Sequence, residues 1–142
     1  MENTPSPCVF CDIVAGRGEA SVAYEDDTVV AVMDINPVTA GHTLVIPRVH
    51  VVGLDDIDEE TGAQVWRAGQ RVARALRGSG VRCEGVNLFL ADGEAAFQEV
   101  FHLHLHVIPR YAEDGFEIKA RWKPRDRDLL DQDAAAVRQA LR

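Results

Sequence analysis

The chain has 142 residues, 46% of them hydrophobic and 27% charged, with a formal net charge of −8. That size and balance indicate one soluble globular domain, 1–142, and the acidic excess argues against a partner such as nucleic acid, whose backbone needs a basic face. No segment approaches the roughly 18 continuous apolar residues of a membrane span, and no basic region followed by an apolar run opens the chain, so a cytoplasmic protein is expected, with no membrane partner.

Three cysteines in such a chain point to a reducing compartment. Cys8-Val9-Phe10-Cys11 opens a short amphipathic segment ending at Gly16. A redox-active reading of this Cys-x-x-Cys wants a preceding strand and a βαβ setting, and only a few polar or small residues precede it. A zinc half-site is the better reading, and it needs two further ligands. Residues 21–25 and 28–34 read as two short strands joined by a turn at Asp26-Asp27. The apolar run Val29 to Met33 suits a central strand, and Asp34-Ile35-Asn36-Pro37 breaks it with turn chemistry. Asp34 either caps that turn or accepts hydrogen bonds from a ligand hydroxyl.

Residues 41–50, Gly-His-Thr-Leu-Val-Ile-Pro-Arg-Val-His, are a third strand and the loop after it, with His42 at the start and His50 just past the end. Each is a structural or a functional candidate. Residues 56–76 form the longest helix candidate. Asp56 and Asp58 are possible N-caps, and Val65, Trp66, Gly69, Val72, Ala73 and Leu76 fall on one face. A fourth strand spans 85–91, and residues 92–98 connect it back to the next strand, which should pair antiparallel with it. Gln98 then stands near one end of that strand, placed to reach an anion. Beyond Arg110 the chain reads as a polar extended tail. A short helix follows over 128–141, with Leu129, Leu130, Ala134, Val137 and Leu141 on one face.

The most informative stretch is Phe101-His-Leu-His-Leu-His-Val-Ile-Pro109, which holds three of the five histidines. Alternation is a strand pattern, placing His102, His104 and His106 on one face and Leu103, Leu105 and Val107 on the other. The outer pair of histidines is about 13 Å apart on a strand, too far for one ion with bonds near 2 Å to collect all three. The three imidazoles therefore have different jobs. A half-buried strand with polar residues facing water is the plain alternative.

Gln98, the alternating histidines and Pro109-Arg110 resemble the signature of the histidine triad (HIT) family of nucleotide hydrolases and transferases. Asp34-Ile-Asn-Pro37 and Gly41-His-Thr-Leu-Val-Ile-Pro47 resemble that family's second block, and residues 8–16 its opening helix. The likeness runs from about residue 8 to residue 126. It implies an α+β fold, a five-stranded antiparallel sheet with helices packed on it, and a homodimer in which two sheets join. The core would span 21–110, with a tail and short helix over 111–142. It implies that His104 attacks the α-phosphorus of a nucleotide, giving a nucleotidyl-histidine that releases a nucleoside monophosphate. Phosphoramidates, adenylylated compounds and dinucleoside polyphosphates are the substrate classes, with a purine nucleotide, adenosine above all, as the ligand.

The same resemblance implies roles residue by residue. His106, His42 and Gln98 would donate to phosphate oxygens or the leaving group. Val9, Phe10, Ile13, Ile35 and Leu44 would line the base pocket, though they serve equally as core, and Asp34 would accept from the ribose. Cys8, Cys11, His50 and His102 would hold one structural zinc per chain, and no catalytic cofactor is expected. Ala91 stands where many hydrolases of the family carry an asparagine, Phe97 where a glycine precedes the glutamine, and Glu99 where several branches carry a small hydroxyl residue. A non-catalytic nucleotide-binding regulator on the same fold is the alternative, resting on Ala91 and Phe97. A metal-sequestering protein would use the histidines but leaves Asp34, Gln98 and the Val9-Phe10-Ile13 group unexplained.

Overall fold

The computed structural model describes residues 7–142, so the part of the export-signal reading that rests on residues 1–6 lies outside the described residues. Five strands form one antiparallel sheet in the order β1-β2-β3-β5-β4. They are β1 (Val22–Glu25), β2 (Val29–Met33), β3 (Thr43–Pro47), β4 (Gly85–Leu90) and β5 (Leu105–Arg110). Helix α1 (Val9–Val14) precedes them, α2 (Glu59–Gly78) links β3 to β4, and α3 (Arg127–Ala140) ends the chain. No helix among the described residues is long and apolar enough to cross a membrane.

Alternation along β2 and β3 sorts the core onto two faces of the sheet. Val29, Ala31, Val45, Leu105 and Val107 pack under α2 through Val65, Ala68, Val72 and Leu76. Val30, Val32, Leu44 and Ile46 pack under Phe10 of α1 on the other face. Helix α2 sits tight on β5 because residue 69 is glycine: a Cβ there would come 2.7 Å from Leu105 Cδ2. Asp58 caps α2 by accepting from Thr61 N at 2.6 Å, whereas Asp56 instead closes the preceding turn through the amides of Val52 and Gly53.

Two expectations are corrected. Trp66 is 58% exposed rather than on the core face, because the buried stripe is narrow and Trp66 lies about 100° around the helix from Val65. The histidine stretch is not one strand: β5 begins at Leu105, and residues 101–104 run outside the ladder. The plain alternative, a strand with its histidines facing water, also falls, since His102 and His104 are buried along with Leu103. Residues 117–126 belong to no helix or strand, and ahead of them lies a clamp: Arg110 donates to Asn87 Oδ1, Asp114 and the Phe116 carbonyl at 2.6–3.1 Å. Helix α3 carries Leu129, Leu130 and Val137 exposed, and Leu141, expected on the same face, lies just past its end.

Candidate active site and metal centre

The histidine face of the sheet meets α1 at the point where β5 begins. Each imidazole there makes a hydrogen bond that fixes its tautomer. His104 Nδ1 lies 2.8 Å from the His102 carbonyl, an acceptor, so Nδ1 carries the proton and Nε2 the lone pair. Among the described residues no protein group bonds that Nε2, and no buried side-chain nitrogen or oxygen lacks a partner, so the lone pair opens to solvent. The Phe10 ring stands edge-on to His104 at 4.9 Å between centroids, with His106 at 4.9 Å on another side. The result is a bare nitrogen nucleophile at the mouth of a largely buried ring.

His42 and His106 form a directed relay. Val38 N–H donates to His42 Nδ1 at 3.0 Å, which leaves the His42 proton on Nε2. That Nε2–H points at His106 Nδ1, 2.9 Å away, and lies 3.5 Å from Asp34 Oδ2. His106 therefore keeps its proton on Nε2, a donor with no partner within the described protein. Asp34, His42 and His106 lie close enough together to suggest a cation site. The Val38 bond argues otherwise, because a ring accepting at Nδ1 has no second lone pair to give a metal.

Burial lowers the pKa of all four inner histidines. For His42 it is partly offset by Asp34, and for His104 by the His102 carbonyl and then Asp34. His102 is lowered by burial against the opposing bond to Pro47. His106 is pushed down to about 4 by burial, reinforced by His104 and His42 and opposed by Asp34. At neutral pH the rings are uncharged, as a nucleophile and a neutral donor require. The unfolded chain takes up protons below about pH 6.5 that these folded rings refuse, so stability falls as pH drops from there toward 4. Urea midpoints between pH 7.5 and 4.5 should show this fall, and a shallower one in His106→Asn. A flat profile in the wild-type chain would remove the neutral-ring account.

The remaining histidine belongs to a second centre. His102 Nε2–H donates to the Pro47 carbonyl at 2.8 Å, leaving the lone pair on Nδ1. That Nδ1 is 3.4 Å from Cys8 Sγ, 3.5 Å from Cys11 Sγ and 3.1 Å from His50 Nδ1; Cys11 Sγ is 3.2 Å from His50 Nδ1. Tetrahedral zinc with bonds of about 2.0–2.3 Å needs donors roughly 3.3–3.8 Å apart, close to this set. Two sulfurs and two nitrogens make a closed site with no open position, and the Pro47 carbonyl supplies the outer hydrogen bond such a ligand normally has. The donors fit zinc, which would tie α1 to the start of β5 and take no part in chemistry.

Other expected site residues are placed less simply. Gln98 is buried and does not aim at an anion: its Nε2 donates to the carbonyls of Val52 (2.7 Å) and Val100 (3.2 Å), and its Oε1 accepts from Gly93 N (2.8 Å). It braces the loop after β4. Gln98→Leu would strand those backbone groups and cost about 2 kcal/mol by urea denaturation, against near-neutrality for a free side chain. His42 likewise reaches a ligand only through His106. Asp34 Oδ1 accepts from Asn36 N at 2.8 Å, so it caps its turn with one oxygen and faces His42 with the other. Phe10 and Leu44 are core residues of the α1 face, Ile13 packs beside them, Val9 is half exposed and Ile35 is 89% exposed. The main-chain groups of Val38, Pro47 and His102 set the tautomers, and a side-chain pattern carries no signal for them.

The HIT domain description matches residues 16–113 of this sequence. The chain belongs to the HIT domain family. A HIT-like protein of Mycobacterium tuberculosis is 43% identical over 142 residues, spanning 92% of this chain and 98% of the relative. The crystal structure of a HIT family member from Bacillus subtilis superposes with a TM-score of 0.87 at 37% identity, covering 96% of this chain and 99% of that one. A zinc-bound histidine triad family protein from Mycobacterium smegmatis is 45% identical with a TM-score of 0.75, covering 95% and 98%. Among other relatives is the adenylylsulfatase HINT3 of Arabidopsis thaliana, 34% identical over 108 residues, 75% of this chain and 54% of that protein. The antiparallel sheet with packed helices is thus the HIT fold, and the family includes hydrolases.

Proposed function

We propose that the protein is a nucleotide hydrolase or nucleotidyltransferase working at the α-phosphate through His104. The observation that carries this reading is the solvent-facing Nε2 lone pair of His104, with Nδ1–H held by the His102 carbonyl at 2.8 Å. Nε2 attacks phosphorus, and the N–P bond forms as the bond to the leaving group breaks. The leaving group departs with its electron pair and takes a proton from solvent. Water then attacks phosphorus, the N–P bond breaks, a proton is released to solvent, and the nucleoside monophosphate leaves with His104 restored. The His102 carbonyl supports the imidazolium that develops, and His106 Nε2–H, aligned by His42, hydrogen-bonds a phosphoryl oxygen.

Asp34 is the candidate ribose partner, through the oxygen its turn leaves available. Val9, Ile13 and Ile35 are the candidate base contacts, with Phe10 and Leu44 beneath them. An adenine nucleotide is the favoured ligand, in keeping with the adenylylsulfatase among the relatives. Cys8, Cys11, His50 and His102 hold one structural zinc per chain. The chain works as a cytoplasmic homodimer in which two sheets join, a reading that rests on the family resemblance.

Mass-spectrometric profiling tests the reaction. Incubation with nucleoside phosphoramidates, adenylyl compounds and dinucleoside polyphosphates should release monophosphate from at least one class. Acid-labile nucleotidyl mass should appear on the peptide containing His104. No release from any of them, or an adduct on another residue, would overturn the reading.

A further inference from the structure

Phe97 holds a conformation that aromatic residues avoid. Its φ of 73° and ψ of 23° are left-handed, and Glu113 is the only other non-glycine residue with positive φ among the described residues. Left-handed backbone costs a residue with a Cβ about 1 kcal/mol or more. Burial does not offset that cost, since the residue is 79% exposed. Glycine at 97 would remove both the strain and the exposed ring, so the local fold gives no reason for phenylalanine.

The loop carrying it is held firmly. A 3-10 turn, Glu94–Ala96, closes through Ala96 N–Gly93 O and Phe97 N–Glu94 O at 3.0 Å, and Gln98 N bonds Gly93 O at 3.1 Å. Gln98 then pins the loop to Val52 and Val100. Leu90 pairs with Leu105, so the loop leaves the sheet alongside His104. It returns to the histidine stretch directly after Gln98. The backbone that carries the ring is thus fixed, on the loop that runs from the end of β4, where Leu90 pairs with Leu105, back to the residues leading into His104. Phe101 and Leu54 are also exposed, and Leu54 N donates to Asp92 Oδ2 of the loop at 3.2 Å.

Charge narrows what the ring can meet. Residues 91–101 carry Asp92, Glu94 and Glu99, all exposed, and no lysine or arginine. A polyphosphate leaving group would bring its charge against these carboxylates, whereas a neutral or cationic aromatic amine would not. We propose that Phe97 determines specificity at the leaving-group end of the His104 site, stacking on the aromatic ring of an amine expelled from a nucleoside phosphoramidate. This rests on the reading of His104 as the nucleophile.

The test compares two nucleoside phosphoramidates with the same nucleotide, one of an arylalkyl amine and one of an alkyl amine of equal chain length, and a dinucleoside polyphosphate. Wild type should favour the aromatic amide in kcat/KM. In Phe97→Gly the ratio of aromatic to alkyl kcat/KM should fall roughly three- to tenfold, while the thermal midpoint holds or rises. Phe97→Tyr should restore the ratio. An unchanged ratio, or a falling midpoint with both substrates lost alike, overturns the proposal. A Phe97-dependent preference for the dinucleoside polyphosphate overturns the amine assignment. Titration of both amides into His104→Ala reads the same preference in Kd. A Phe97-dependent binding ratio without wild-type turnover would retain the platform and defeat the hydrolase reading.

Discussion

Replacing His104 with alanine should abolish release of nucleoside monophosphate, by more than about a thousandfold, while nucleotide affinity stays within a few-fold. The reason is the division of labour at the mouth of the site. Only Nε2 of His104 is both unprotonated and open to solvent, whereas His106 presents a proton and His42 is turned inward. On the proposed assignment the phosphate and base contacts lie elsewhere, so binding should survive. His104 is 7% exposed, and truncation leaves a void beside Phe10 that lowers stability. His104→Asn serves as the better-filled control: its amide can still donate to the His102 carbonyl, yet it has no nucleophilic lone pair of comparable strength. Both variants should be inactive, and both should be checked by circular dichroism. Hydrolysis near the wild-type rate in a folded variant would sink the mechanism.

Protein purified without added metal should carry one zinc per chain, and Cys11→Ser should carry almost none. The expected loss is about 3 kcal/mol or more, a fall in thermal midpoint of roughly 10 °C. Without the ion, His50 Nδ1 and His102 Nδ1 stand 3.1 Å apart with no metal between them, and α1 loses its tie to the start of β5. The damage should reach the reaction as well. His102 offers its ring to the metal centre and its carbonyl to His104, and Phe10, between the two cysteines, touches both rings. In the metal-poor variant kcat should fall more than KM rises. A folded wild-type chain that is metal-free as isolated, by elemental analysis, would refute the centre.

Much of this arrangement is legible in residue order, for identifiable reasons. The continuous apolar run Val29 to Met33 marks a strand buried on both faces, and the spacing of Val65, Val72 and Leu76 marks the buried face of α2, because both patterns follow from backbone geometry. Cys8 and Cys11 read as half of a zinc site from their spacing, His50 and His102 join them through the family resemblance, and the fold brings the four together. What the sequence hides is main-chain chemistry. Nothing about the side chain of Val38 announces that its amide decides where His42 keeps a proton, and Gln98 reads as an anion donor until its two protons are found on carbonyls. Trp66 misleads for another reason: bulk and hydrophobicity put it in the stripe, and angle takes it out.

The early end of the β5 ladder has a consequence for the nucleophile. Had pairing run on through residues 102–104, as the alternation suggests, the His102 carbonyl would have had a neighbouring strand to satisfy. Because regular pairing with β3 and β4 starts only at Leu105, that oxygen is available to orient His104. The protein keeps its reactive ring where a sheet comes undone, and lengthening the strand by two residues would make a ladder bond compete for the carbonyl that holds the ring in its working tautomer.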